Sequence, residues 1–362
     1  MPQLRVMVVD GSRAFRTVLS ECVDASGLAR VVAHAGDGQE ALSKASDFKP
    51  DLATLDIELP VISGLEALER LREEHPQIRV VMVSSLTRQG AKETIRALEL
   101  GAYDFLAKPD GKDAQANKEA LRVQLKAILL GIRQAAASAA GPGPLPPLRS
   151  GGASTPAAPP AIRSAPPEIV AIGSSTGGPN ALMQIVPRLP GNLPVPLVIT
   201  QHMPPLFTAA LASTLAERSA LKVVEAQHGQ PLLAGTVYFA PGGKQLRVAT
   251  TGPGAGPGAE RHLELTDDPP EHSCRPAVDY LFRSVAQVYR ERALGVILTG
   301  MGVDGAAGLR EMKRHAVKVI GQSAASCTVY GMPREAMAAG VVDLELPAER
   351  IAAEITASVS RT

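Results

Sequence analysis

A proline-rich stretch divides this chain in two. The segment GPGPLPPLRSGGASTPAAPPAIRSAPP carries nine prolines, several glycines and almost no large apolar side chain. Such a stretch cannot bury enough surface to offset the entropy of ordering it. Its prolines favour extended conformers of about 3.1 Å per residue, so it reads as a semi-flexible tether. Whatever folds here must fold on either side of it. The length of 362 residues agrees, because single hydrophobic cores stop growing near about 250–300 residues. The expected organisation is a domain over residues 1–135, a linker over 136–166 and a second domain over 167–362.

On both sides, apolar strand-like runs alternate with helical spacing. LRVMVVD (4–10), RVVAHA, DLATLD, RVVMVSS and YDFLAK read as strands. Helical patterns lie between them at GQEALSKA, GLEALERLREEH and GAKETIRALELGA, with a last helix over about 114–135. A βα unit repeated five times predicts a flavodoxin-like parallel sheet with helices on both faces. After the tether, EIVAIG, PLVIT, TVYFAP and ALGVILTG read as strands and predict a second, doubly wound α/β domain. The stretch TTGPGAGPGAE (250–260) is expected to be a mobile loop.

Charge and cysteine usage exclude several classes. With 37 basic and 36 acidic residues the net charge is +1, which gives no general attraction to nucleic acid or anionic lipid. Cys22, Cys274 and Cys327 are an odd, widely spaced set, as in reduced thiols and not a disulfide framework. No apolar run approaches the roughly 18 residues that span a bilayer, and MPQLRVMVVD lacks the core of a secretory signal. A cytoplasmic protein without membrane insertion is the expectation.

In parallel α/β sheets, sites form beyond the carboxyl ends of strands. In the first half those ends carry Asp10, Asp56, Ser84 with Ser85, and Lys108. With flavodoxin-like strand order the first and third strands are neighbours, which brings Asp10 and Asp56 together. Two nearby carboxylates repel unless a cation bridges them, and hard oxygen ligands suit Mg²⁺. One carboxylate can then act as nucleophile toward phosphate while Lys108 and a serine hydroxyl bind the phosphoryl oxygens. Taken singly, an Asp after a strand is commonly a cap or turn residue. The four-part pattern over residues 1–125 resembles a two-component receiver domain. The resemblance implies Asp56 as phosphoacceptor, Ser84 as switch hydroxyl, Lys108 as phosphate-binding lysine, and Asp10 with Asp56 as Mg²⁺ ligands. Receivers usually carry two adjacent acids after the first strand. Here the pair is Asp10-Gly11, and the missing carboxylate is expected to weaken Mg²⁺ binding.

The second half has three motifs at strand ends. In EIVAIGSSTGGPNAL, Gly173, Ser175 and Gly177 match G-x-S-x-G between a strand and a helix, the context of a nucleophile elbow. A Gly/Ser-rich phosphate or structural loop is the plainer alternative, though GSSTGG lacks the lysine and spacing of a P-loop. His202 directly follows the apolar strand PLVIT and is the best available general base. Asp304 lies in a glycine-rich turn, where it is either a helix cap or the orienter of an imidazole. The order Ser175, His202, Asp304 argues against the common α/β-hydrolase fold.

Together GSSTGG, ITQHMP, RPAVDYLF, ILTGMGVDGA and VYGMPREA resemble the chemotaxis protein-glutamate methylesterases, the CheB family. That resemblance covers about residues 168–345. It implies Ser175 as nucleophile, His202 as base and Asp304 as orienter, with Thr176 and Met301 near the reacting carbonyl and the Met301 N–H as an oxyanion donor. It further implies γ-glutamyl methyl esters, and sometimes glutamines, of chemoreceptor helices as substrates. A chemotaxis-type histidine kinase becomes the upstream partner, and no cofactor is needed for hydrolysis. An unphosphorylated receiver is expected to cover the hydrolase site. The alternative is a signalling adaptor with an inactive hydrolase fold.

Overall fold

The computed structural model describes residues 2–139, 166–251 and 260–360. Nearly all of the expected linker, and most of the 250–260 stretch, lie outside the described residues.

In the first domain β1 (Leu4–Val9), β2 (Ala29–Ala35), β3 (Leu52–Asp56), β4 (Arg79–Ser84) and β5 (Asp104–Ala107) alternate with five helices. These are α1 (Arg13–Ala25), α2 (Gly38–Phe48), α3 (Gly64–Glu74), α4 (Arg88–Glu99) and α5 (Ala114–Ala139). The last helix runs four residues past the expected boundary at 135. The sheet order is β2-β1-β3-β4-β5, all parallel. Every residue of β3 is buried, as expected of strands covered on both faces. The chain reverses its winding between β1 and β3, which puts Asp10 and Asp56 at the switch point.

The second domain begins with β6 (Ile169–Ser174), α6 (Gly178–Ile185), β7 (Leu197–Gln201), α7 (Phe207–Arg218), β8 (Lys222–Glu225) and β9 (Thr236–Phe239). A hairpin of β10 (Gln245–Thr250) and β11 (Arg261–Thr266) follows, then α8 (Val278–Tyr289), β12 (Ala293–Ile297), α9 (Ala306–Arg314) and β13 (Lys318–Gln322). The domain ends with α10 (Met332–Ala338), β14 (Leu344–Leu346) and α11 (Ala348–Val359). Seven parallel strands take the order β14-β13-β12-β6-β7-β9-β8. Here the winding reverses at β6, so its carboxyl end is the place where a parallel sheet opens a crevice.

The domains pack against each other through α4, β5 and α5. Phe105 stacks on Phe207 with ring centroids 4.8 Å apart and planes 9° from parallel. Tyr103 donates its hydroxyl to the Thr328 carbonyl at 3.0 Å, and Asn180 donates its amide to the Ala102 carbonyl at 3.2 Å. Glu99 pairs with Arg218 at 2.7 Å. Gly131 lets α5 come close: a Cβ there would lie 2.2 Å from Val329 Cγ2.

Candidate functional site

The turn that ends β6 carries Ser175. The Ser175 N–H donates to the Thr299 carbonyl at 3.0 Å. Gly177 then turns left-handed at φ 75°, where a Cβ would lie 2.2 Å from Thr328 Cβ. Only glycine fits that corner, and α6 starts immediately after it. Along the neighbouring strand, Ser174 pairs with Gln201, and the His202 N–H donates to the Ser174 carbonyl at 3.1 Å. Ser175 and His202 therefore leave adjacent strand ends, which lie about 4.8 Å apart in a sheet.

Asp304 approaches from the loop after β12, on the other side of β6. Its Oδ2 lies 2.8 Å from His202 Nε2. It also accepts the Val278 N–H at Oδ2 and the Asp279 N–H at Oδ1, both at 2.7 Å. Asp304 is thus a helix cap as well as an imidazole partner, but it caps α8, while Gly305 stands at the start of α9. Asp279 returns the contact by accepting the Gly308 N–H of α9 at 2.6 Å. Burial alone would raise the Asp304 carboxyl; the His202 ring and the two N–H groups outweigh it and hold the group below the usual carboxylate range. For His202, burial works to lower the pKa, but the Asp304 hydrogen bond and Cys274 prevail and push it up to about 9.

Two of the three expected residues are hydrogen-bonded partners, and the third shares their cavity. A space of about 500 Å³ is lined by Ser175, His202 and Cys274 of the second domain and by Asp104, Phe105 and Gln124 of the first. Thr176 and Met301 face the same space. Among the described residues no hydrogen bond joins the Ser175 hydroxyl to His202. The other ring nitrogen, Nδ1, is instead hydrogen-bonded to Cys274 Sγ at 3.5 Å.

Three residues here escaped the sequence reading. Gln201 donates its amide to the carbonyls of Ser175 at 2.9 Å and His202 at 3.1 Å, and its oxygen accepts from Ser174 Oγ at 2.7 Å. Its position beside His202 in ITQH was the available signal. Asp104 is buried against the turn of Ser175; burial pushes its carboxyl up to about 7, although the N–H groups of Phe105 and Gly177 draw it down. Cys274 had no local signal, since it reaches His202 from a turn more than seventy residues on.

The acidic cluster of the first domain forms where expected. Lys108 Nζ lies 2.8 Å from Asp10 Oδ2 and 2.8 Å from Asp56 Oδ2. Burial raises the Asp56 carboxyl; the Lys108 ammonium opposes this, and the Asp10 carboxylate adds to the rise. Asp10 Oδ2 is buried with the Lys108 ammonium at 2.8 Å as its close partner, so one of its two lone pairs is left for a second cation. Two carboxylates with such an oxygen fit Mg²⁺. Ser84 does not join this cluster: its hydroxyl points into α4 and donates to the Gly90 carbonyl at 3.1 Å.

A family model described as CheB methylesterase matches residues 170–355, and one described as response regulator receiver domain matches residues 6–118. A Desulfotalea psychrophila protein named protein-glutamate methylesterase/protein-glutamine glutaminase is 43% identical, with 99% of each chain covered. A Bacillus subtilis protein of the same name is 39% identical, again with 99% of each chain covered. The solved CheB methylesterase catalytic domain of Thermotoga maritima is 39% identical, with a TM-score of 0.50, covering 53% of this chain and 98% of that one.

Proposed function

The chain belongs to the CheB methylesterase family and carries a receiver domain, and from that premise we infer that it removes methyl groups from glutamyl esters of chemoreceptors under control of phosphorylation. It is a protein-glutamate methylesterase with protein-glutamine glutaminase activity. The observation that carries the inference is the His202–Asp304 pair at the strand end beside Ser175.

Ser175 Oγ attacks the γ-carbonyl of a methylated glutamate while His202 Nδ1 takes its proton. Asp304, already bonded to Nε2, holds the resulting imidazolium. The Met301 N–H and the start of α6 face the developing oxyanion. The proton then passes from Nδ1 to the departing methoxide and methanol leaves. Water repeats the sequence on the acyl-enzyme and releases glutamate. A glutamine follows the same course and gives ammonia.

The pH dependence follows from the sign of the His202 shift. The protonated ring cannot accept the Ser175 proton, so kcat/KM rises with pH. The midpoint of that rise is expected above 6.5, displaced toward about 9 while the receiver covers the site. The same shift stabilises the fold fully below 6.5 and is lost as pH climbs through about 9. Asp304→Asn should move the rising limb downward; a limb that stays in place would detach Asp304 from the base.

Regulation comes from the receiver. In the unphosphorylated chain Asp104, Phe105 and Gln124 occupy one wall of the hydrolase cavity. A histidine kinase supplies the phosphoryl group to Asp56; Asp10 and Asp56 would hold Mg²⁺, which would offset the phosphoryl charge. Ser84 would leave the Gly90 carbonyl for a phosphoryl oxygen and so release α4 at the interface. The cytoplasm, where receptor helices and kinase meet, is the expected location; among the described residues no helix is long and apolar enough to cross a membrane.

Gly11 sets the strength of the Mg²⁺ site. A Cβ at Gly11 would meet only Pro60 Cδ at 3.6 Å and the Glu58 carbonyl at 3.9 Å, which is ordinary contact. Gly11→Asp should therefore fit and add a third carboxylate. Mg²⁺ affinity should rise by roughly tenfold, read from the Mg²⁺ dependence of Asp56 phosphorylation by a small phosphodonor. An unchanged midpoint would mean that Gly11 does not limit the site.

The reading as a whole is tested by methanol release from methylated receptor. Wild type should release methanol, and the rate should grow on phosphorylation but not in Asp56→Asn. No turnover in either state would favour the inactive adaptor.

A further inference from the structure

Cys274 takes no part in the proton transfers above, yet it sits against the nitrogen that they need. Its Sγ lies 3.5 Å from His202 Nδ1. Zinc binds thiolate at about 2.3 Å and imidazole nitrogen at about 2.0–2.1 Å, and a tetrahedral angle between such bonds gives an S···N edge of about 3.5 Å. The observed thiol–imidazole hydrogen bond holds the two atoms at that same separation.

Three further observations favour a cation there. First, Nε2 of the same ring is hydrogen-bonded to Asp304, which is the carboxylate–histidine arrangement that fixes the tautomer with a lone pair on Nδ1 and increases its basicity. Second, Cys274 is held in place. Glu271 and Cys274 exchange backbone hydrogen bonds of 3.1 and 2.7 Å across a turn whose central residues, His272 and Ser273, are both left-handed at φ 51° and 63°. His272 anchors that turn to Asp279 at 3.0 Å. Third, Cys274 and His202 both line the 500 Å³ cavity, which leaves room for an ion and for water to complete its coordination. The nearby group of His272, Asp279 and Asp304 is a poorer seat. Its carboxylates already accept the N–H groups of Val278, Asp279 and Gly308 as well as two imidazoles.

We propose that Cys274 Sγ and His202 Nδ1 form a two-point seat for a zinc-class divalent cation, and that its occupancy inhibits the enzyme by taking the base away from Ser175. On binding, the Cys274 thiol gives its proton to solvent, any proton on Nδ1 is likewise released, and two new bonds form from sulfur and nitrogen to the metal. No oxidant or other reactant is required. The seat selects soft or borderline ions; Mg²⁺, which prefers oxygen, is not bound there. The inhibition, though not the binding, rests on the hydrolase reading above.

The test uses the full chain with Zn²⁺ and Co²⁺ as probes. Zn²⁺ should inhibit methanol release, and EDTA should restore it. In Cys274→Ala the inhibiting concentration should rise by at least about tenfold relative to that variant's own metal-free rate, whereas Cys327→Ala should respond as wild type. Separately, Co²⁺ should give a thiolate charge-transfer band in the wild type and in Ser175→Ala, and none in Cys274→Ala. The spectrum needs no turnover, so failure of the esterase reading would leave it standing. Equal inhibition of wild type and Cys274→Ala overturns the proposal, as does a wild-type Co²⁺ spectrum without the thiolate band.

Discussion

Ser175→Ala is expected to lower kcat for methyl-ester hydrolysis by about 10⁴–10⁶-fold, and His202→Ala by a similar factor. The double variant should be little worse than either single one, because nucleophile and base act as a unit. Asp304→Asn should cost about 10⁴-fold, since an amide in place of the carboxylate disturbs the tautomer of His202. The three variants separate on a second axis. Asp304 also accepts the first two N–H groups of α8, and Asn offers only one acceptor oxygen. Thermal melting should therefore show Asp304→Asn destabilised by about 1–2 kcal/mol, the usual cost of a lost cap, while Ser175→Ala melts near wild type. Methanol release and circular dichroism on the same samples check both. An active Ser175→Ala would remove the nucleophile assignment at once.

The second large effect concerns the interface. Phe105→Ala should raise the unphosphorylated esterase rate by roughly tenfold and shrink the response to phosphorylation. Phe105 is half-buried and stacked on Phe207 at 4.8 Å, so truncation removes an aromatic pair and part of an apolar contact. That is worth about 1–2 kcal/mol, which shifts a covered-to-open equilibrium by about five- to thirtyfold. The Glu99–Arg218 pair spans the same interface at 2.7 Å, but Arg218 is about half exposed, and such pairs contribute at most about 1 kcal/mol. Arg218→Ala should accordingly change the basal rate less than Phe105→Ala. A basal rate indifferent to Phe105→Ala would mean that the receiver does not restrain the enzyme through β5.

Much of this was legible in the sequence because parallel sheets advertise themselves. The runs LRVMVVD, DLATLD and EIVAIG are buried on both faces, and their carboxyl ends name the residues that meet across the sheet. The flavodoxin-like order and the pairing of Asp10 with Asp56 followed from that rule. Strands β8, β10, β11, β13 and β14 escaped; β8 and β14 are four and three residues long and partly charged, too short for any periodicity to register. The orientation of Ser84 was also out of reach. A strand-end position is fixed by the backbone, but the choice between Asp56 and the Gly90 carbonyl is a rotamer decided by α4. Cys274 and Asp104 were illegible for a different reason. Each reaches the site from a distant segment, one across the domain interface, and contacts of that kind leave no spacing to read.

The Gln201 amide has a consequence for how such an enzyme can be controlled. By gripping the main chain of both Ser175 and His202, it ties the two reactive segments together from within the second domain. A phosphoryl group arriving on the receiver therefore need not set the spacing of these two segments. Its influence falls on admission: whether a receptor helix is let in beside backbone segments that are already held in place.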